Sequence, residues 1–227
     1  MADTPRPDDL AEQHTIAPPG GKTLSKPQRN AIGQTGIPQV LGRYTIQRDL
    51  GRGAMGAVYL AHDSELDRQV ALKTPLGEVS EGSEFLERFR REARAAAILR
   101  HSNICPIFDV GEIDGVHHIS MAFIEGKPLS EFVDENNPMP IRRAVQVVRK
   151  VASALAEAHR HKIIHRDLKP GNVMIDRKGE PIVMDFGLAR SIQPKDGEQL
   201  TQDGIAMGSP GYMSPEQFEG DPEAIGP

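Results

Sequence analysis

Asp167, Lys169 and Asn172 fall together in the stretch His165-Arg166-Asp167-Leu168-Lys169-Pro170-Gly171-Asn172, and a second acid follows in Asp185-Phe186-Gly187. No other part of the chain restricts the choice of fold as much, because this loop and the later acid must meet at one point to act together. An acid, a cation and an amide on one loop, with another carboxylate beyond it, are what a phosphoryl-transfer site requires. One carboxylate takes a hydroxyl proton, and an amide with a second carboxylate holds magnesium. Between the two acids, Val173 to Ile175 and Ile182 to Met184 predict short strands on either side of a turn at Arg177-Lys178-Gly179.

The upstream half supplies parts that suit the same chemistry. Tyr44 to Leu50 alternates apolar and polar residues and predicts a strand, and Ala57 to Ala61 predicts another. Between them lies Gly51-Arg52-Gly53-Ala54-Met55-Gly56. Glycines let a backbone approach phosphates closely. A G-x-G-x-x-G turn joining two strands differs from the strand-to-helix turn of a dinucleotide fold. Lys73 ends a third strand, Val70-Ala71-Leu72-Lys73, and Glu92 lies in a helix predicted over Glu84 to Leu99, with Phe85, Phe89, Ala93, Ala96 and Ala97 on one face. A strand lysine and a helix glutamate in this order can pair, which aims the ammonium at the α- and β-phosphates. Ile104 to Val110 and Val116 to Phe123 predict two more strands. Further on, Arg142 to His161 predicts a helix whose apolar face is Val145, Val148, Val151, Ala152, Leu155 and Ala158.

Composition excludes several other classes. With 227 residues, 38% hydrophobic and 26% charged, the chain reads as globular, and a net charge of −5 gives no basic field for nucleic acid or anionic lipid. It contains no apolar run long enough for a membrane helix and no apolar signal core at its start, so the location is read as cytoplasmic. Residues 1–40 hold six prolines, Pro5, Pro7, Pro18, Pro19, Pro27 and Pro38, and few large apolar groups, which predicts a disordered leader. Gly20-Gly21-Lys22-Thr23 inside it lacks the first glycine of a phosphate loop, where Ile16 stands, and reads as a chance tetrapeptide. Cys105 reads as a small buried apolar residue. His159, His161 and His165, and the pair His117-His118, lack the partners that would complete a metal site. His165 is expected to brace the loop through the backbone, and one of His117 and His118 to be exposed. Arg88, Arg90 and Arg91 are read as a solvated helix face with Phe89 turned inward.

From Tyr44 to Glu216 the chain resembles bacterial Hanks-type serine/threonine protein kinases. The resemblance rests on the glycine turn, Lys73, Glu92, the Asp167 loop, the Asp185 loop and Ser214-Pro215-Glu216. It implies an α+β, two-lobed fold over residues 44–227. The N-lobe, 44–123, would hold a five-stranded antiparallel sheet and one helix, and 124–227 would form a helical, incomplete C-lobe. It implies ATP and Mg2+ as cofactors and protein substrates, the chain itself among them. In this resemblance Asp167 handles the hydroxyl proton, Lys169 neutralises the transferred group, and Lys73 and Glu92 orient the phosphates. Asn172 and Asp185 ligate magnesium. Leu50, Gly51, Gly53, Gly56, Val58, Ala71, Met121 and Met174 surround the nucleotide, and the backbones of Ala122 and Ile124 meet the adenine edge. Ala122 stands where the family usually has an acid, a change that leaves a main-chain contact intact. Lys169 and Ser209 match the serine/threonine pattern. Arg166 and Thr201 imply control by phosphorylation of the activation segment.

Kinases of this family continue into further helices, one bearing an acid that anchors the catalytic loop and a later one an arginine that pairs with Glu216. The resemblance therefore also implies a truncated C-lobe. The competing expectations are an inactive nucleotide-binding remnant and a small-molecule phosphotransferase. Ser214-Pro215-Glu216 argues against the latter, since a small substrate needs no peptide platform.

Overall fold

Residues 39–53, 56–75, 83–134, 136–186, 210–219 and 225–226 are described by the computed structural model, and all of them belong to the unit running from Ala31 to Pro227. Apart from Gln39 and Val40, the expected leader lies outside these residues, as do Ala54, Met55, Gly187, Thr201 and Ser209.

Six strands form the first sheet. They are β1 (Val40–Leu41), β2 (Tyr44–Gly53), β3 (Gly56–Asp63), β4 (Arg68–Thr74), β5 (Ile107–Ile113) and β6 (Val116–Ala122), in the spatial order β1-β2-β3-β4-β6-β5. All neighbouring pairs are antiparallel. The two-residue β1 adds to the five strands expected from the sequence. The helix α1 (Glu84–Ala96) begins where Ser83 Oγ accepts the Leu86 N–H at 3.3 Å, a side-chain cap for a donor with no partner inside the helix. Its buried stripe is Leu86, Phe89, Ala93 and Ala96, so Leu86 replaces Phe85, which instead stacks half-buried on Phe89.

The sheet has an apolar cluster on each face. Leu41, Tyr44, Ile46, Tyr59, Val70 and Leu72 belong to one. Ala71, Ile119 and Met121 pack with α1 in the other. The strand expected over Ile104 to Val110 starts later, at Ile107. Pro106 has no N–H for a ladder, and Ile104 instead bridges Val183 in parallel.

A second, three-stranded sheet is formed by β7 (Gly126–Pro128), β8 (Val173–Asp176) and β9 (Pro181–Val183). Several bonds tie β9 to the segment before β5: Cys105 N–H to Val183 O at 2.9 Å, Val183 N–H to Asn103 O at 2.8 Å, and Asn103 Nδ2 to Pro181 O at 2.7 Å. The long helix α2 (Ile141–Arg160) packs on β9, with Ala154 and Ala158 in one apolar cluster with Val183, and Val147 is buried on the same helix. Val145, Val148 and Ala152, expected on its buried face, are exposed. The apolar residues of α2 form two adjacent stripes, and the described packing covers the one through Val147. The helix stops when Lys162 adopts φ +59 and Ile163 N–H reaches back to Ala158 O at 3.0 Å. That left-handed closure is usually made by glycine, and it turns the chain straight into His165. The last described helix, α3 (Pro215–Glu219), follows Ser214.

Candidate active site

The 165–172 loop is held by its own side chains. His165 is buried between Met184 O, 2.8 Å from Nε2, and the Asp167 N–H, which donates to Nδ1 at 3.3 Å. Its ring also lies against Phe186, with centroids 4.9 Å apart. Burial pushes its pKa below the ordinary imidazole value, and the bond to Met184 opposes that shift. The bracing role expected for His165 is what the structure gives it. Arg166 then takes φ +65, a left-handed conformation that costs a residue with a side chain roughly 1–2 kcal/mol. The Asp167 carboxylate is fixed through Oδ2, which accepts from Lys169 Nζ at 2.8 Å and Asn172 Nδ2 at 2.8 Å. The same Asn172 nitrogen donates to Asp167 O at 2.7 Å.

Asp185 reaches this loop from β9. The Met184 N–H donates to Asn172 O at 2.9 Å, so the two candidate magnesium residues are attached to bonded stretches of backbone. Asp185 is also left-handed, with φ +55, and its Oδ1 accepts from Lys73 Nζ at 2.8 Å. Lys73 is 5% exposed, so its charge is compensated by a carboxylate from the other sheet. Glu92, the partner expected from sequence, sits half-buried on α1. Cys105 is buried beside these groups. Burial, with the Asp185 charge adding to it, pushes its thiol up to about 12, so it remains a neutral apolar contact. It lines a small cavity with Met121, Asp185 and Phe186.

Hard oxygen donors suit magnesium, and the donor set meets that requirement. The Asn172 amide spends its nitrogen on Asp167, which leaves a carbonyl oxygen. Asp185 meets Lys73 through Oδ1, and its second oxygen is a further ligand of the right kind.

Ala71 and Met121 lie in one apolar cluster, with Leu50, Val58, Ala122, Ile124 and Met174 packed against it. These are seven of the residues expected around the base, drawn from β2, β3, β4, β6, β8 and the segment after β6. The Ala122 N–H is taken by Pro106 O at 2.9 Å, so its carbonyl is the group available to a ligand edge; that oxygen also receives a weak contact from the Cys105 thiol at 3.5 Å. The three glycines differ. Gly56 has φ +148, and a Cβ there would stand 2.1 Å from Thr74 O, whereas Gly51 and Gly53 open onto free space. Only Gly56 is demanded by its own fold. The other two leave room beside the backbone for a bulky anion.

Two expectations near the site are corrected. His117 and His118 are both buried, because β6 lies between β4 and β5 with both of its faces covered. His118 meets the Tyr44 ring edge-on at 5.4 Å, and His117 Nδ1 lies 2.9 Å from Arg90 NH2. Arg90 is no solvated cation either: it pairs with Glu112 at 2.6 Å and so ties α1 to the β5–β6 hairpin.

Gln217 was not anticipated. Its Nε2 donates to Arg166 O at 2.6 Å and its Oε1 accepts the Ser214 N–H at 3.2 Å. The available signal was the Ser-x-x-Gln spacing from Ser214, which marks a helix start, but nothing in that spacing names a partner fifty residues upstream.

The family model described as "Protein kinase domain" matches residues 44–224. Serine/threonine-protein kinase PrkC of Bacillus subtilis is 41% identical over 80% of the chain and 28% of its own length. Serine/threonine-protein kinase PksC of Streptomyces coelicolor is 46% identical over 79% of the chain and 34% of its own length. The chain thus spans about a third or less of these relatives. Among solved structures, the PknI kinase domain of Mycobacterium tuberculosis superposes with a TM-score of 0.58 at 34% identity, covering 68% of this chain and 62% of that one.

Proposed function

Since the chain belongs to the protein kinase family, whose members use ATP and Mg2+, we propose that it transfers the γ-phosphoryl group of ATP to serine and threonine hydroxyls of proteins. The observation that carries this reading is the linked set Lys73–Asp185 and Lys169–Asp167–Asn172. It joins a nucleotide-facing cation to a fixed carboxylate. In this reading Asp167, held through Oδ2, offers Oδ1 to the substrate hydroxyl and takes its proton as the oxygen attacks phosphorus. Lys169, already beside Asp167, follows the negative charge as it develops on the transferred group. Lys73 orients the α- and β-phosphates, with Glu92 on α1 as its further partner. Asn172 and Asp185 would hold magnesium, which would supply neutralising charge at the phosphates. Leu50, Val58, Ala71, Met121 and Met174 enclose the base, with main-chain pairing from Ala122 and Ile124, and Gly51, Gly53 and Gly56 cover the phosphates.

Serine/threonine rather than tyrosine specificity is supported by Lys169, by Ser209 in the sequence, and by the names of the relatives. We further propose that Thr201 is autophosphorylated and that Arg166 reads the added charge. Phosphate on Thr201, found by mass mapping after ATP incubation, supports that control. An active preparation without it refutes it. The proposed location is the cytoplasm, where ATP is available; among the described residues no helix is long and apolar enough to cross a membrane.

The test is transfer from labelled ATP to a generic protein substrate and, in parallel, to an aminoglycoside. Transfer to protein is expected, with a loss of about 100-fold or more in Asp167→Asn. Transfer that survives Asp167→Asn, or that goes only to the aminoglycoside, overturns the reading.

A further inference from the structure

Ser214-Pro215-Glu216-Gln217 has the form of a capping box, in which the third helical residue reaches back to the N–H of the cap residue. Gln217 makes that bond through Oε1, to Ser214 N at 3.2 Å. A glutamate would do this equally well. What a glutamate cannot do is donate, and Gln217 Nε2 donates to Arg166 O at 2.6 Å, bridging 51 residues of sequence. The two contacts assign the amide without ambiguity, because a carbonyl needs the nitrogen and an N–H needs the oxygen.

The carbonyl that Gln217 holds belongs to the strained residue of the loop. Arg166 sits at φ +65, and such a conformation lasts only where the surroundings over-determine it. On one side His165 is anchored to Met184 O and accepts the Asp167 N–H. On the other, Asn172 Nδ2 holds Asp167 O. Successive carbonyls, of Arg166 and Asp167, are thus each held by a side-chain amide, one from outside the loop and one from within it.

We propose that Gln217 is a positioning residue: through the Arg166 carbonyl it locks the backbone that aims Asp167, and so couples the seating of the 214–217 turn to the reacting geometry. This rests on Asp167 acting on the substrate hydroxyl. A displacement of order 1 Å at such a group costs about 100-fold in rate, so a loosened clamp that still allows the right geometry part of the time should cost about tenfold.

Gln217→Glu separates the clamp from the cap, since it retains the acceptor for Ser214 N–H and sets a carboxylate against the Arg166 carbonyl. In the 227-residue chain, kcat for protein phosphorylation is expected to fall about tenfold, with KM for ATP and the thermal midpoint unchanged. The ratio of variant to parent rate should recover as pH falls towards carboxyl protonation, which restores a donor; a merely structural role would not produce that recovery. Amide hydrogen exchange over residues 164–172 should rise about tenfold in Gln217→Glu. Gln217→Ala, which loses both contacts, should match it there and also loosen 214–219. Parent-like kcat together with parent-like loop exchange in Gln217→Glu overturns the proposal, and so does a fall in kcat that comes with a lowered thermal midpoint and no pH recovery. If the unsubstituted chain transfers no phosphate, it is the kinase reading that fails. The exchange measurement then decides the clamp by itself: a rise supports it and no change overturns it.

Discussion

Lys73 Nζ lies 2.8 Å from Asp185 Oδ1, so a lysine at the end of β4 in the first sheet is paired with an acid just beyond β9 in the second. The lysine side chain is 7% exposed and the carboxylate 33%. This asymmetry decides what a deletion does. In Lys73→Met the apolar stem stays packed and no cation is buried, while Asp185 turns to the water already at its side. Stability should change by less than about 1 kcal/mol, well short of the penalty for orphaning a fully buried ion. Phosphoryl transfer should drop at least about 100-fold, because the cation proposed to orient the phosphates is gone. Denaturant titration beside a transfer assay checks both. Loss of several kcal/mol would make the pair chiefly structural.

The glycine turn separates backbone need from ligand need. Gly56→Ala would drive a methyl group against Thr74 O at a φ that side chains rarely adopt, and should cost at least about 2 kcal/mol. Gly53→Ala meets nothing within 4 Å and should stay within about 0.5 kcal/mol of the parent. Its effect should appear in KM for ATP, since the added methyl group would occupy the space proposed for the phosphates. Equal losses of stability in the two variants would contradict this division.

Much of this was legible in the residues. The strands β2 to β6, the helix starting at Glu84 and the motif order around Asp167 all follow from local chemistry, and the structure gathers Leu50, Val58, Ala71, Met121 and Met174 into one apolar cluster. Long-range contacts were not legible. That Asp185 arrives within reach of Lys73 follows from the bonds between Asn103, Cys105 and Val183, which tie β9 to the segment before β5. His117 and His118 alternate along a strand, which suggests that one faces water. Their burial depends on β6 being an inner strand, a property of sheet order that adjacent residues do not encode. Gln217 presented a local signal for a helix start and carries a second, distant bond that the signal does not announce.

The face of α2 gives a direct comparison. Val147 is 4% exposed and Val148 is 66% exposed, although the two are neighbours of identical chemistry. Val147→Ala removes two buried methylene equivalents and should cost about 1.5 kcal/mol, more if a cavity remains. Val148→Ala should cost under about 0.5 kcal/mol, since alanine is also the better helix former. Denaturation midpoints of the two variants settle which stripe is packed. A larger loss at Val148 would mean that the face seen exposed is the buried one.

His118 and His165 set the acid limit of the fold. Burial holds both imidazoles below the ordinary pKa, with the Asp109 charge partly opposing this at His118 and the bond to Met184 O at His165. The unfolded chain therefore binds protons near pH 6.5 while the folded chain does not. Stability is fully present above that pH and falls as pH drops through it, until the folded-state imidazoles protonate in turn. His118 Nε2 lies 3.9 Å from Asp109 Oδ2, a carboxylate that also pairs with Arg43, so His118→Phe removes the proton site and leaves Asp109 with its arginine. The phenyl ring can keep the edge contact with Tyr44, and Arg43, Asp109 and His117 remain around it. Between pH 7 and pH 5, His118→Phe should flatten the decline in unfolding free energy by up to about 1.4 kcal/mol per pH unit, the slope carried by one proton. Denaturant titrations at a series of pH values measure that slope, and parallel curves for parent and variant would show that His118 takes up its proton equally in both states.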